Sequence, residues 1–298
     1  MSDPDRRAKD LIIEADKKLT SGRGFLASMF GSGSKEEEAL EMYQKAANMF
    51  KMSKNWEEAG KTFVKVANLQ QKVGNSLEAA TNFVHASNSY KKIDSQETIS
   101  CLLKAIDIQT DMGRFIMAAK NHQTIGEIYE TEFADFENSM KHFEQAADYF
   151  QGEESNASAR NCLLKVGDQA AVMKNYDKAI GIFEKVATKA LDDKLSQYSA
   201  KDYFFRAAIC RLCNSSEPSE AALEANLAIQ RYEQQYPAFQ DSREYKLIKD
   251  ITSALEEQNK EHFVNKLQDF DSISRLNPWQ TKLFNRVKEL FNDEEDLK

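Results

Sequence analysis

The sequence predicts an all-α protein, and three observations support that fold class. Only four prolines occur among the 298 residues, and none lies between Pro4 and Pro218. Proline disrupts helix interiors, so this gap favours one helix after another. No segment shows the strict apolar–polar alternation of a half-buried strand. A set of small and large side chains also returns every 20 residues, as expected for a repeat of short helices.

The first predicted element is a helix that Asp3 caps, with Pro4 at its first position. A loop at 20–34 follows, because this segment is rich in glycine and serine. Ser34 and Glu37 then have the spacing of a capping box, which predicts that the repeat array opens there.

The repeat occupies one helix face. Ala39, Tyr43 and Ala47 stand four residues apart and therefore lie on the same side of a helix. Small residues let two helices approach closely, and the large residue fills the groove between them. Shifts by multiples of 20 residues give the corresponding sets Ala59, Phe63, Ala67; Ala79, Phe83, Ser87; Ser139, Phe143, Ala147; Ala159, Leu163, Gly167; and Ala179, Phe183, Ala187.

Two intermediate units depart from this pattern. The units starting at Ile99 and Ala119 keep the spacing but not the residue types. In the second unit, Gln123 and Glu127 are poor core residues. We therefore expect its core to shift to Ile125 and Ile128.

Two stretches agree in more detail. Lys54-Asn55-Trp56 precedes one repeat unit as Lys174-Asn175-Tyr176 precedes another, at an offset of 120 residues, or six units of 20. Two units make one hairpin, so the full period is 40 residues. One hairpin cannot bury its apolar face alone, whereas stacked neighbours can. The prediction is a twisted right-handed solenoid of TPR-like antiparallel helical hairpins.

A C-terminal helical bundle is predicted after the solenoid. Ser199 and Asp202 open a helix that runs through Phe205, and the 20-residue phase is lost past Pro218. Further helices are expected near 219–236, 242–258 and 278–292, with Pro237 ending the first and Asn277-Pro278 starting the last. We place the solenoid at 1–200, including loop 20–34, and the bundle at 201–298, including an acidic tail at 293–298.

Charge and composition exclude several functions. The net charge of −8 opposes binding to nucleic acid. The start of the chain has no apolar signal core, and no run of 18 apolar residues occurs. We therefore expect a cytoplasmic protein with reduced cysteines.

Motifs for catalysis, cofactors or metals were not found. No glycine-rich phosphate loop and no His-Glu-x-x-His pattern occur. The pair Cys210 and Cys213 lacks two further zinc ligands, so both are interpreted as core cysteines. The sequence predicts no enzyme activity, no cofactor and no metal.

The loop at 20–34 carries four large apolar residues between its glycines: Phe25, Leu26, Met29 and Phe30. They lie on one side of a single helical turn. One interpretation is an apolar tip that contacts a membrane or partner, and the other is a staple that folds back onto the first hairpin. Four partly inserted side chains would give only weak, reversible membrane binding.

The chain ends with four acidic residues and a penultimate leucine: Asp293, Glu294, Glu295, Asp296 and Leu297. A charge run is usually a solubilising tail. The isolated apolar residue favours a small docking motif for a basic partner surface.

Specific motifs are spread along nearly the whole chain. They include Ala46-Ala-Asn-Met-Phe50, Asp111-Met-Gly-Arg-Phe115, Gly152-Glu-Glu-Ser155, Tyr198-Ser-Ala-Lys-Asp-Tyr-Phe-Phe205, Asp271-Ser-Ile-Ser-Arg-Leu276 and Asp293-Glu-Glu-Asp-Leu297. With these motifs the chain resembles the soluble NSF attachment proteins of the alpha/beta type. The resemblance implies an adaptor that binds the SNARE complex of syntaxin, SNAP-25-like and synaptobrevin-type helices. It also implies recruitment and stimulation of the hexameric AAA ATPase NSF, which disassembles that complex in vesicle fusion.

The resemblance also implies roles for particular residues. The apolar membrane loop of the family falls on Phe25, Leu26, Met29 and Phe30, which implies weak, peripheral membrane contact. The NSF-binding tail falls on 293–297. The SNARE-facing basic residues fall on Arg114, Lys120, Lys165, Lys201 and Arg243. One more basic position falls on Asn161, so the neighbouring Arg160 is the candidate to replace it.

Two other functions fit a helical repeat. A tetratricopeptide co-chaperone would bind short peptide tails, but that repeat has a period of about 34 residues. A helical-repeat RNA binder is opposed by the acidic charge balance.

Overall fold

The computed structural model describes residues 3–20 and 32–291, and every regular element in this part of the chain is a helix. The α-helices are α1 Asp3–Thr20, α2 Ser32–Met52, α3 Trp56–Lys72, α4 Ser76–Tyr90, α5 Ser95–Asp111, α6 Phe115–Thr131, α7 Phe136–Gly152, α8 Asn156–Val172, α9 Tyr176–Leu191, α10 Ala200–Cys213, α11 Pro218–Gln235, α12 Arg243–Glu256, α13 Lys260–Ile273 and α14 Pro278–Lys288. Short 3₁₀ turns occupy Gln197–Ser199 and Pro237–Phe239.

The turns between helices follow the same repeat as the core residues. Lys54 and Lys174 both adopt the left-handed conformation, with φ of 60° and 64°, directly after α2 and α8. The amide of Asn55 then donates to Phe50 O at 2.9 Å, and the amide of Asn175 donates to Ala170 O at 2.9 Å. Each Asn side chain also caps the next helix. These turns satisfy the last carbonyls of one helix and start its antiparallel neighbour within a few residues.

The small–large–small core is confirmed for most units. Phe63, Phe83, Phe143 and Phe183 are at most 1% exposed. Burying each ring contributes about 1.5–3 kcal/mol, so these positions supply a large share of the packing energy. Close helix approach is visible at Gly167, where an added Cβ would lie within 2.8 Å of two ring atoms of Phe183.

Where the residue types blur, the core shifts by a few positions. Ile125 and Ile128 are buried, as expected for the unit that starts at Ala119. In α5, Leu103 is 39% exposed, and Leu102 is buried instead. In α8, Cys162 is buried, whereas Leu163 is only partly buried, so the expectation for Leu163 was wrong by one position.

The helix contacts define two compact units, Met1–Asn156 and Ala157–Lys298. In the first unit, consecutive helices from α1 to α7 pack against one another as hairpins. In the second, α10 contacts α9, α11, α12 and α14, which confirms a C-terminal bundle. The predicted domain boundary at 200/201 was placed where the sequence repeat ends, whereas these two units are defined by contacts between helices. The predicted boundary therefore stays a prediction.

The last helix is anchored to α8. The Arg286 guanidinium donates to Ala171 O and Val172 O, both at 2.8 Å, and so satisfies carbonyls at the end of α8. Trp279 Nε1 donates to Asp168 O at 3.0 Å. Leu283, Phe284 and Val287 of α14 are buried as well.

Three sequence-based details need correction. Helix α2 begins at Ser32, so Ser34 lies inside it and does not cap it. Ser199 stands at the start of α10, but its side chain makes no capping hydrogen bond. Helix α13 was not predicted because only Phe263 of its residues is buried, which leaves a weak helical pattern. Asn277, in contrast, forms the expected start of α14, with a capping box to Gln280.

Candidate functional site

The predicted basic residues of the first unit lie on α6. Gly113, with φ of +67°, ends the turn after α5, and Arg114 occupies the N-cap position of α6 without a side-chain cap. Arg114 and Lys120 are both exposed. Neither side chain makes an ion pair with another described residue. The start of α6 therefore presents two uncompensated positive charges.

The basic residues of the second unit begin on α8. Lys165 is exposed, and Arg160 is partly buried. Arg160 lies close enough to Asp193, in the connection between α9 and α10, for its positive charge to influence the pKa of Asp193. Hydrogen bonds from the Leu195 amide and the Ser196 hydroxyl, with a smaller effect from the Arg160 charge, lower the pKa of Asp193. Arg160 therefore lies beside the segment that leads into α10.

Lys201 and Arg243 are brought close together, although they are far apart in sequence. Lys201 Nζ lies 2.8 Å from Glu244 Oε1 and 3.6 Å from Asp202 Oδ1. Burial is the largest single influence and acts to lower the pKa of Lys201, but the hydrogen bonds to Glu244 and Asp202 and the charges of both carboxylates together outweigh it, so the net shift is upward. Arg243, next to Glu244, donates to Ser274 Oγ at 2.9 Å. Lys201 is thus partly neutralised, while Arg243 is exposed and makes no ion pair with a described carboxylate.

Sequence reasoning missed two apolar residues beside this group. Leu195 is 92% exposed and Tyr198 is 70% exposed, both in the segment just before α10. Single exposed apolar side chains are common on protein surfaces, so these two residues are of interest here only because they lie next to Lys201 in the chain. The signal in the sequence was their position between two helices, outside the repeating core pattern.

The apolar loop residues Phe25, Leu26, Met29 and Phe30 and the tail residues 293–297 lie outside the described residues. The elements that lead to them are well anchored. Lys18 of α1 pairs with Glu38 of α2, and the Tyr43 hydroxyl donates to Asp16. Near the other end, Phe291 is buried against Phe263, with ring centroids 5.1 Å apart.

The described residues offer no arrangement for nucleophilic or metal chemistry. Burial raises the pKa of Cys101 to about 11 and that of Cys213 to about 12, so both thiols stay protonated at neutral pH. Cys101, Cys162 and Cys210 are buried, as expected for core cysteines, and Cys213 is partly exposed. No cluster of three or more potential metal ligands exists in residues 3–20 and 32–291.

A family model for the soluble NSF attachment proteins matches residues 6–292. The chain belongs to this family. It is 50% identical to human alpha-soluble NSF attachment protein, an alignment that covers 100% of this chain and 99% of the relative. It is 50% identical to bovine beta-soluble NSF attachment protein, covering 95% and 93%, and 32% identical to the vesicular-fusion protein SEC17 of Komagataella phaffii, covering 97% of both.

Proteins of this family are adaptors and not enzymes, and the same holds for this chain. Among the described helices, none combines the length and the apolar character needed to cross a bilayer.

Proposed function

We propose that this chain binds assembled SNARE complexes and recruits and stimulates the AAA ATPase NSF, which then disassembles them in vesicle fusion and intracellular transport. The observation that carries the proposal is the pair Arg114 and Lys120, which are exposed and have no carboxylate partner among the described residues of a chain with net charge −8. Positive charge concentrated in an acidic protein fits an acidic helical partner. Relatives named as NSF attachment and vesicular-fusion proteins support the same function.

The binding free energy for the SNARE complex is expected to be the sum of many weak interactions. An exposed ion pair contributes only about 0.2–1 kcal/mol. Six basic residues on one chain, Arg114, Lys120, Arg160, Lys165, Lys201 and Arg243, therefore give modest affinity, and several copies around one SNARE complex would add avidity. Leu195 and Tyr198 can add apolar burial beside Lys201.

The proposed contacts with NSF and with the membrane are assigned to two segments outside the described residues. The tail at 293–297 would engage the NSF hexamer through its carboxylates and Leu297. Phe25, Leu26, Met29 and Phe30 would give weak membrane contact, which makes the protein cytoplasmic and peripheral on membranes. Human alpha-soluble NSF attachment protein aligns over 100% of this chain, and so over both segments, which supports both assignments.

The contribution of the basic residues to SNARE binding is tested by reversing the charges of Arg114 and Lys120 to Glu. The matched control reverses Lys91 and Lys92, which are exposed in the turn between α4 and α5. That turn lies at the opposite end of α5, about 25 Å from Arg114. We expect the first variant to bind a soluble SNARE complex more weakly and with less salt dependence, because it loses screened charge contacts. An equal loss in the control would mean that only net charge matters.

The tail is tested by Leu297→Ala. We expect unchanged SNARE binding and reduced stimulation of NSF ATPase activity. Lys298→Ala is the control, since it changes the adjacent residue and leaves the leucine in place. Full stimulation by Leu297→Ala would refute the role of the leucine.

A further inference from the structure

An open cleft lies in the first unit, between the turn that joins α2 to α3 and the turn that joins α4 to α5. Its volume is about 670 Å³, and Trp56, Tyr90 and Glu97 are among the residues that line it. Sites of roughly 300–1,000 Å³ are of the size that holds small ligands. The lining contains none of the residues assigned above to SNARE, NSF or membrane contacts.

Tyr90 presents a hydroxyl group to this cleft. The residue is only 7% exposed, and a Cβ added at Gly60 of α3 would come within 2.8 Å of three atoms of its ring. The hydroxyl nevertheless makes no hydrogen bond with a described residue. It is not sealed from solvent either, in contrast to the unpartnered Asn82 Oδ1 and Gln109 Nε2. Tyr90 is therefore a fixed side chain whose hydroxyl is still able to donate and to accept.

The charges along the cleft leave an excess of negative charge. Three carboxylates, of Glu57, Asp94 and Glu97, face two ammonium groups, of Lys54 and Lys61. Lys61 Nζ lies 2.6 Å from Glu57 Oε1, so these two charges offset each other. Glu97 and Lys54 are exposed and make no ion pair within the described part of the chain. The excess of one negative charge is balanced by a ligand with one positive charge.

Glu97 lies close to the Tyr90 hydroxyl. Burial is the main reason why the pKa of Tyr90 rises to about 12, and interactions with Cys101 and with the charge of Glu97 follow, while Lys61 opposes the shift. Because the Coulomb interaction decreases with distance, this effect places the Glu97 carboxylate near the hydroxyl. A cation bound there meets a negative charge and a neutral oxygen acceptor together.

The apolar part of the wall comes from Trp56 and Ile93. Trp56 is partly exposed, and Ile93 is 52% exposed. A cation over the face of an indole ring is attracted by the electrons of the ring. A guanidinium group is planar, stacks on aromatic rings and carries N–H donors in several directions. It can therefore stack on Trp56 and donate to Tyr90 and Glu97 at the same time.

We propose that this cleft binds an arginine side chain of a peptide segment from a partner protein. The guanidinium lies against Trp56 and donates to the Tyr90 hydroxyl oxygen and to the Glu97 carboxylate. One arginine side chain fills only part of the cleft, so the residues on either side of it also find room. This favours a peptide over a free small cation.

The test uses the full chain labelled with 5-fluorotryptophan and observed by ¹⁹F NMR. The chain has only two tryptophans. Trp279 is the internal reference, because its Nε1 is engaged with Asp168 O in the second unit. The probe is a pentapeptide with blocked ends and one arginine between glycines. We expect the Trp56 signal to shift with a dissociation constant of about 0.1–1 mM, since each of the few contacts is weak. The Trp279 signal should not move.

Two nearly isosteric variants test the polar contacts. Tyr90→Phe removes only the hydroxyl and should weaken binding about two- to tenfold. Glu97→Gln removes only the charge and should weaken binding about two- to fivefold. The matched control is Glu137→Gln, since Glu137 is an exposed carboxylate in the first turn of α7, beside the helix cap Asp135. This variant should bind the peptide as the wild type does.

Three other ligands define what the cleft recognises. The same peptide with citrulline, which is uncharged and has nearly the shape of arginine, should leave the Trp56 signal unchanged. A lysine peptide should bind more weakly than the arginine peptide, because an ammonium group is not planar. N-acetylarginine amide presents the side chain without neighbouring residues and should also bind more weakly.

Several results would overturn the inference. One is a Trp56 signal that does not shift at millimolar concentrations of the arginine peptide. Another is equal binding of the citrulline peptide, and a third is wild-type affinity in both Tyr90→Phe and Glu97→Gln. Equal affinity for N-acetylarginine amide would overturn the assignment to a peptide. Since neither a SNARE complex nor NSF is present, these results are independent of the proposed function.

Discussion

The close contact between α8 and α9 at Gly167 gives a sharp test of the packing. A Cβ added at Gly167 would lie 2.7 Å and 2.8 Å from Cε1 and Cζ of Phe183. The ring is fully buried, and it is held edge-on by Trp279 at 5.8 Å and covered by the Arg206 guanidinium at 5.8 Å. It cannot move aside without disturbing both neighbours.

The magnitudes follow from this geometry. Gly167→Ala should cost about 1–3 kcal/mol for overpacking, partly offset by about 1 kcal/mol of better helix propensity. Phe183→Ala alone should cost about 3–5 kcal/mol. In the Phe183→Ala background the clash is absent, so Gly167→Ala should stabilise the protein by about 0.5–1 kcal/mol. Gly167→Ala is therefore expected to destabilise the wild-type protein and to stabilise the Phe183→Ala variant.

The assay is urea unfolding of the two single variants and the double variant, followed by circular dichroism. Gly181→Ala on α9 is the control, because an added Cβ there meets no atom within 4 Å. Gly181→Ala should stabilise both the wild-type protein and the Phe183→Ala variant. Effects of Gly167→Ala and Phe183→Ala that add within about 0.5 kcal/mol would refute the reasoning, because contacting residues should couple.

Two further predictions concern partly buried polar groups. Burial, assisted by the neighbouring His142 charge, lowers the pKa of His122 to about 4, and the Nδ1 atoms of the two rings are 2.9 Å apart. The unfolded chain then binds more protons between about pH 6.5 and 4, so stability should fall by about 2 kcal/mol as the pH drops through that window. His122→Phe should flatten this part of the profile of melting temperature against pH, and an unchanged profile would contradict the assignment. Arg286→Ala should lower the free energy of unfolding by about 2–4 kcal/mol, because it removes charged hydrogen bonds to Ala171 O and Val172 O. Arg286→Lys should recover only part of this loss, and a cost below about 0.5 kcal/mol would show that these bonds contribute little.

The sequence was sufficient for the repeat and the core because both are local patterns. Phe143 and Phe183 could be placed inside from their spacing to small residues alone. The shift of α5 to Leu102 could not, because Leu103 is equally apolar and only the neighbouring helix decides between them. Helix α13 was missed because a helix with one buried residue has almost no periodic signal.

The candidate surface was harder to predict, since it depends on long-range pairing. Nothing local to Lys201 shows that Glu244, 43 residues away, takes up part of its charge. Nothing local to Lys120 shows that it has no such partner in the described part of the chain. The exposed Leu195 and Tyr198 could be recognised only after the helices around them were placed.

The proposed function requires the chain to couple SNARE complexes to NSF. The most direct measurement is the rate at which NSF, ATP and magnesium disassemble a fluorescently labelled SNARE complex, with and without this protein. We predict rapid disassembly that requires the chain and is slowed by charge reversal at Arg114 and Lys120. A rate that is the same with and without the chain, although the SNARE complex and NSF are active with another adaptor, would contradict the proposed function.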